Sequence, residues 1–147
     1  MFAIVDGPID VGALVADAQR PDCGAIATFV GTTRVDESGG ASVEYLEYEA
    51  YRPMADRKLA EIGAEIRARW DVGHVSIVHR LGRVDPGEAS VTIVVASPRR
   101  GPAFEASRYA IERIKEVVPI WKREVWSDGY VWVGSQVGTR GSTSERR

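Results

Sequence analysis

A single cysteine in 147 residues leaves no partner for an internal disulfide and too few thiols for a multi-cysteine metal site. That residue, Cys23, has no lysine or histidine beside it in the sequence to activate a thiol, so it reads as structural. Histidine is equally scarce. His74 and His79 fall in no metal-ligand spacing, and His79, inside a strand-like run, reads as a hydrogen-bonded structural residue. HExxH, Walker A, GxGxxG and GxSxG words are all missing, which leaves metalloprotease, nucleotide-binding and serine-hydrolase chemistry without support. No stretch approaches the roughly 20 apolar residues of a membrane span. MFAIVDGPID lacks the basic start and long apolar run of a secretory signal, so a cytoplasmic location is expected. A net charge of −2 argues against non-specific grip on a polyanion and confines any basic site to a local cluster.

What remains is an ordinary globular composition, 44% hydrophobic and 27% charged, of a length that suits one domain. Asp10 before VGALVADAQ predicts a short N-capped helix with Leu14, Val15 and Ala18 inward. CGAIATFVGTTR is β-rich to about Thr33. VDESGGAS then reads as a loop, and VEYLEYEAY as an alternating strand. Pro53 opens a helix to about Arg69 on the spacing of Leu59, Ile62 and Ile66, closed by Trp70. HVSIVHRLG and ASVTIVVAS read as two strands joined across VDPGE. A further helix places Phe104, Ser107, Ile111, Ile114 and Val118 on its core stripe and stops at Pro119. KREVW and YVWVG, around Ser127-Asp128-Gly129, predict a final hairpin. Residues 1–135 are expected to form one domain and 136–147 a disordered tail. The class is α+β with a mostly antiparallel sheet, two main helices and a C-terminal hairpin.

The functional signal lies in SPRRGPAFEASRYAIERIKEVVPIWKRE, Ser97–Glu124. Arg99 and Arg100 precede its helix, Lys115 lies near the helix end, and Lys122 follows Pro119. Two arginines at a helix N-terminus oppose the macrodipole unless an anion sits among them. Lys115, at the margin of the apolar stripe, is expected to lose solvation and so have a lowered pKa, which would suit it as acid, base or nucleophile. Periodicity alone favours the blander reading, a lysine whose stem covers the core while its ammonium reaches water. Lys122 reads as a point charge for phosphate and as wetter than Lys115, with Arg123 on the opposite strand face.

SPRRGPAFEA, PIWKRE, FVGTTR, VSIVHRLGRVDPGE and the helix ending in RARW, which occur in the family's order over roughly Gly24 to Val133, resemble the catalytic large subunit of molybdopterin synthase. The resemblance implies an α/β-hammerhead arrangement and a sulfurtransferase of molybdenum cofactor biosynthesis. Such an enzyme converts cyclic pyranopterin monophosphate to molybdopterin with two sulfurs from the C-terminal Gly-Gly thiocarboxylate of a small ubiquitin-like subunit. It further implies Lys115 and Lys122 as catalytic residues and Arg34, Arg99 and Arg100 as substrate-binding residues. No metal or cofactor is implied, and the expected assembly is a homodimer within a heterotetramer, its arginines reaching the neighbour's pocket. Two positions depart from the family pattern: Arg99 stands where His is common, and Gln136 where Arg is often found. The rival reading is a non-catalytic module that binds a phosphorylated metabolite or a protein through the same basic cluster.

Overall fold

The computed structural model describes residues 1–35, 37–38, 40–133 and 144–146. Its elements run β1 (Phe2–Val5), α1 (Val11–Ala18), β2 (Ala25–Thr32), β3 (Glu37–Ser38), β4 (Ala41–Ala50), α2 (Arg52–Arg69), β5 (His74–Arg80), β6 (Gly82–Val84), β7 (Ala89–Ser97), α3 (Arg100–Val117), β8 (Ile120–Trp126), β9 (Gly129–Val133) and β10 (Ser144–Arg146). They build two sheets. The first has the order β1-β5-β7-β2, antiparallel except for the parallel β1–β5 pair. The second has the order β10-β9-β8-β4-β3, with β6 also paired to β4.

Strands β5 and β7 are buried on both faces, and this explains their nearly unbroken apolar runs. One set of alternating side chains, Val75, Ile77, Ile93 and Val95, packs under α2 and α3; the other, Val78, Val94 and Ala96, meets Leu14 and Ala18 of α1. Asp10 caps α1 as expected, its Oδ1 accepting from the Ala13 amide at 3.0 Å. In α2, Leu59, Ile62 and Ile66 are fully buried, and the helix begins with Pro in its first turn.

The core stripe of α3 differs from expectation. Ala103, Ala106, Ser107, Ala110 and Ile114 are buried, whereas Phe104 is 66% exposed. Alanines bring the helix axis close to the sheet and leave no depth for a phenyl ring, which is carried about 100° around the helix instead. The link between β5 and β7 also differs. Rather than a simple turn, it contains β6, which leaves the first sheet and joins the second opposite Leu46, Glu47 and Tyr48. Gly82, at φ +81°, makes that change of direction, in a backbone region that side chains with a Cβ adopt at a cost.

The α+β class, the antiparallel-dominated sheets, the two long helices and the β8–β9 hairpin stand as expected. The tail lies outside the described residues except for Ser144–Arg146, which pairs with β9 as an edge strand. Edge pairing is made by backbone groups and needs no apolar period.

Candidate active site

The α3–β8 junction positions the site. Val118 has an extended backbone (φ −85°, ψ 124°), the conformation that a following proline imposes, so the helix stops and the strand begins within two residues. The Tyr51 amide donates to the Pro119 carbonyl at 3.2 Å, tying this corner to the start of α2. Lys115 on the last turn of α3 and Lys122 on β8 thereby face one cleft of about 360 Å³. One wall is formed by Phe29, Gly31 and Thr32 of β2 with Val91 of β7, and the opposite wall by Tyr48, Trp121 and Lys122 of the second sheet. His79 and Ser90, each 5% exposed, lie deep between them. The cleft is thus the seam between the two sheets, closed along one side by α3.

Strand register decides which cation enters it. Lys122 is paired with Tyr48 on β4 and Val133 on β9, so these three side chains share a face. Arg123, pointing the other way as expected, pairs with Glu47 and lies over the Tyr130 and Trp132 rings. The deep polar groups are held by the protein itself. His79 Nδ1 lies 2.9 Å from the Arg80 carbonyl, and its ring meets Tyr48 edge-on at 5.1 Å between centroids. Ser90 Oγ donates to the Gly31 carbonyl at 3.2 Å. Burial pushes the His79 pKa down to about 4, with the Arg80 carbonyl opposing in part. The Tyr48 hydroxyl pKa is raised, chiefly by burial, so the phenol stays protonated.

Of the five residues singled out from sequence, the structure brings two together, Lys115 and Lys122. Their burial reverses the expected order: Lys115 is exposed and Lys122 half-buried, because β8 is flanked by β4 and β9 while the end of α3 is flanked only on its sheet side. The loss of solvation expected of Lys115 at the apolar margin is therefore not found within this chain. Arg34 is exposed two residues beyond Thr32, near the cleft end of β2. Arg99 and Arg100 are exposed at the opposite end of α3 from Lys115; fifteen residues of helix separate Arg100 from Lys115, about 22 Å at 1.5 Å per residue. A single phosphate cannot touch both ends. Gln136 lies outside the described residues.

Cys23 is away from the cleft, with its Sγ close against Gly73. His74 bridges Arg20 (3.1 Å) and Ser76 Oγ (2.8 Å). No group of three or more His, Cys, Asp or Glu side chains among the described residues could hold a metal. No described helix is long and apolar enough to cross a membrane. Sequence reasoning did not find Tyr48 and Ser90 as cleft residues, and it took His79 as structural only. The alternation of β4 marks one face for Tyr48, but only the β4–β8 pairing shows that this face carries Lys122.

A small α+β protein with two lysines converging on a cleft between sheets has the layout of an enzyme for a small anionic substrate, with the cations at the mouth and neutral polar groups below. The chain belongs to the MoaE protein family, whose family model matches residues 4–117. It is 50% identical over 138 residues to the molybdopterin synthase catalytic subunit of Halalkalibacterium halodurans, covering 94% of this chain and 88% of the relative. It is 49% identical over 138 residues to the Bacillus subtilis subunit of the same name, covering 94% and 87%. Among solved structures, molybdopterin synthase from Staphylococcus aureus superposes with a TM-score of 0.86 at 47% identity, covering 90% of this chain and 96% of that one.

Proposed function

We propose that this chain is the catalytic subunit of a molybdopterin synthase, a sulfurtransferase that converts cyclic pyranopterin monophosphate to molybdopterin. The observation that carries the reading is the convergence of Lys115 and Lys122, from two different elements, on one cleft that contains no cysteine. The sulfur must therefore come from outside, as the C-terminal thiocarboxylate of a small ubiquitin-like partner. The thiocarboxylate sulfur forms a C–S bond at a side-chain carbon as a C–O bond there breaks, its oxygen leaving as water or on the phosphate. Water then cleaves the acyl–sulfur bond, releasing the partner's tail as a carboxylate and leaving the sulfur on the pterin. Two such transfers make the dithiolene. Lys115, at the open mouth where a partner tail arrives, moves protons and balances charge on the entering sulfur. Lys122, held in register by β4 and β9, acts as a fixed cation for the bound substrate.

Arg99 and Arg100 fit this scheme as residues lent by a second copy, because about 22 Å of helix keeps them from their own chain's lysines. In a two-fold dimer each chain would supply lysines to one cleft and arginines to the other, with Arg34 completing the phosphate contacts. A small subunit at each end then gives a heterotetramer, and a cytoplasmic location belongs to the same reading. Reconstitution with thiocarboxylated small subunit and the cyclic pterin should yield dithiolene product, and the chain without the small subunit should yield none. Lack of product with both components intact would refute the assignment.

A further inference from the structure

The cleft has a polarity that the lysines alone do not reveal. At its mouth stand cationic donors, Lys115 exposed and Lys122 half-buried. At depth the groups are neutral. The Arg80 carbonyl can only accept, so the 2.9 Å contact requires the proton of His79 to be on Nδ1. Nε2 is then a bare lone pair. It has no partner among the described residues and is not sealed from solvent, and the cleft is the space that this 5% exposed ring lines.

Beside it Tyr48 and Ser90 line the same depth of the cleft. The one Ser90 hydroxyl proton is engaged by the Gly31 carbonyl, so the Ser90 oxygen keeps lone pairs to offer. Both deep groups thus present acceptors. The low pKa of His79 keeps its imidazole neutral across physiological pH, which preserves the Nε2 lone pair.

We infer that His79 Nε2 is a binding and specificity residue: it accepts a hydrogen bond from an N–H or amino group at the inner end of the ligand, while the ligand's anionic group stays at the mouth with Lys115 and Lys122. A buried acceptor selects by leaving mismatched ligands unpaired. A ligand with an acceptor or a second anion at its inner end is rejected, and one with donors there is oriented end-on. Resting on the proposed synthase activity, the inference makes the amino and ring N–H edge of the pterin the buried end and places its phosphate outermost. The side chain that receives sulfur is then on the side from which a partner tail enters.

The test begins with the parent protein, because the chain has only two histidines and both rings can be followed by 15N NMR after histidine labelling of this chain alone. In the free protein His79 should show a protonated Nδ1 and an unprotonated Nε2. Saturating cyclic pterin monophosphate should move the Nε2 resonance upfield, as hydrogen-bond acceptance does, with Nδ1 little changed. Inorganic phosphate alone should leave Nε2 where it is. A free-state proton on Nε2, an Nε2 signal unmoved by bound pterin, or one moved by phosphate would each overturn the inference.

In reconstituted turnover, His79→Asn keeps a donor for the Arg80 carbonyl but loses the deep acceptor, and should raise KM about tenfold with little change in kcat. His79→Gln places an amide oxygen near the Nε2 position and should recover most of that loss, which a merely structural role would not produce. Equal KM values for folded His79→Asn and parent would count against it. If the parent neither binds nor turns over the pterin, the synthase reading fails and this inference fails with it; binding without the Nε2 response defeats the inference alone.

Discussion

Replacing Gly31 with alanine tests whether the cleft wall is already packed to its limit. The backbone would accept the change, since Gly31 is not among the positive-φ glycines. The obstacle is steric. A Cβ at this position would lie 2.7 Å from Val91 Cγ1 and 3.5 Å from Phe29 Cε1, and the first distance is about 1 Å inside a comfortable carbon–carbon contact. Val91 is 6% exposed beneath α3 and has one stiff torsion, so it cannot swing clear without leaving its rotamer or parting β2 from β7. Overpacking of this kind costs about 1–3 kcal/mol, and the reduced freedom of the unfolded alanine chain returns about 0.4–1 kcal/mol. The steric effect wins. A net loss of about 1.5 kcal/mol corresponds to a fall of roughly 3–6 °C in Tm for a chain of this size. Val91 and Phe29 both line the cleft, so KM for the pterin should rise as well. Urea and thermal unfolding of the purified chain measure the first effect, and reconstituted kinetics the second. In a double-mutant cycle, Val91→Ala should restore compatibility with Ala at 31, with a favourable coupling of about 1 kcal/mol. A Gly31→Ala protein as stable as the parent, with the same KM, would refute the packing argument.

Lys115→Arg should fold like the parent, because the site is exposed, yet lose most single-turnover activity, since guanidinium stays protonated; near-parental chemistry would reduce Lys115 to an electrostatic clamp. Lys122→Arg, between its β4 and β9 neighbours, should cost stability as well as rate, and an unchanged melting temperature would contradict its tight setting. If arginines are exchanged between copies, an equal mixture of Arg100→Ala and Lys115→Ala chains should show about a quarter of parental activity, half the dimers being hybrid with one intact site each. No recovery after verified subunit exchange would place the whole site within one chain. Glu65 accepts from Arg113 (3.1 Å) and Tyr109 (2.8 Å), and Arg113 foremost holds its carboxyl below the usual range. Its contribution, about 1 kcal/mol after solvent screening, should be present above the unfolded glutamate pKa and fade as pH falls through the depressed folded value. Glu65→Gln should therefore be less stable than the parent at pH 7 and converge with it at strongly acidic pH in urea titrations; a constant difference would rule out the ionic origin.

Periodicity revealed the long helices because their buried positions repeat at three- and four-residue steps, and the Pro119 break because proline acts locally. It misplaced Phe104 by ranking residues on hydrophobicity, when the close approach of α3 to the sheet selects the smallest side chains. β6 is three residues long and pairs across sheets, too short for a pattern of its own. The two lysines were legible through their motif. Their relative exposure was not, because it depends on strands β4 and β9, which are remote from α3 in the chain. Tyr48, His79 and Ser90 come from three strands in two sheets, and no one-dimensional spacing predicts that convergence.

Lys122 and Arg123 sit side by side in the chain, and a slip of β8 by one position would exchange them, turning a forked guanidinium into the cleft and the amine to the outside. Either arrangement would leave a strand paired and a cation in the cleft, so hydrogen bonding alone is a poor guard against the error. The Arg123–Glu47 ion pair, with the Tyr130 and Trp132 rings beneath the guanidinium, works as a key that fits only one notch of the ladder. A residue with no contact to the cleft thereby determines which chemistry the cleft receives, and errors of alignment made while this hairpin folds would surface as a well-folded but silent protein.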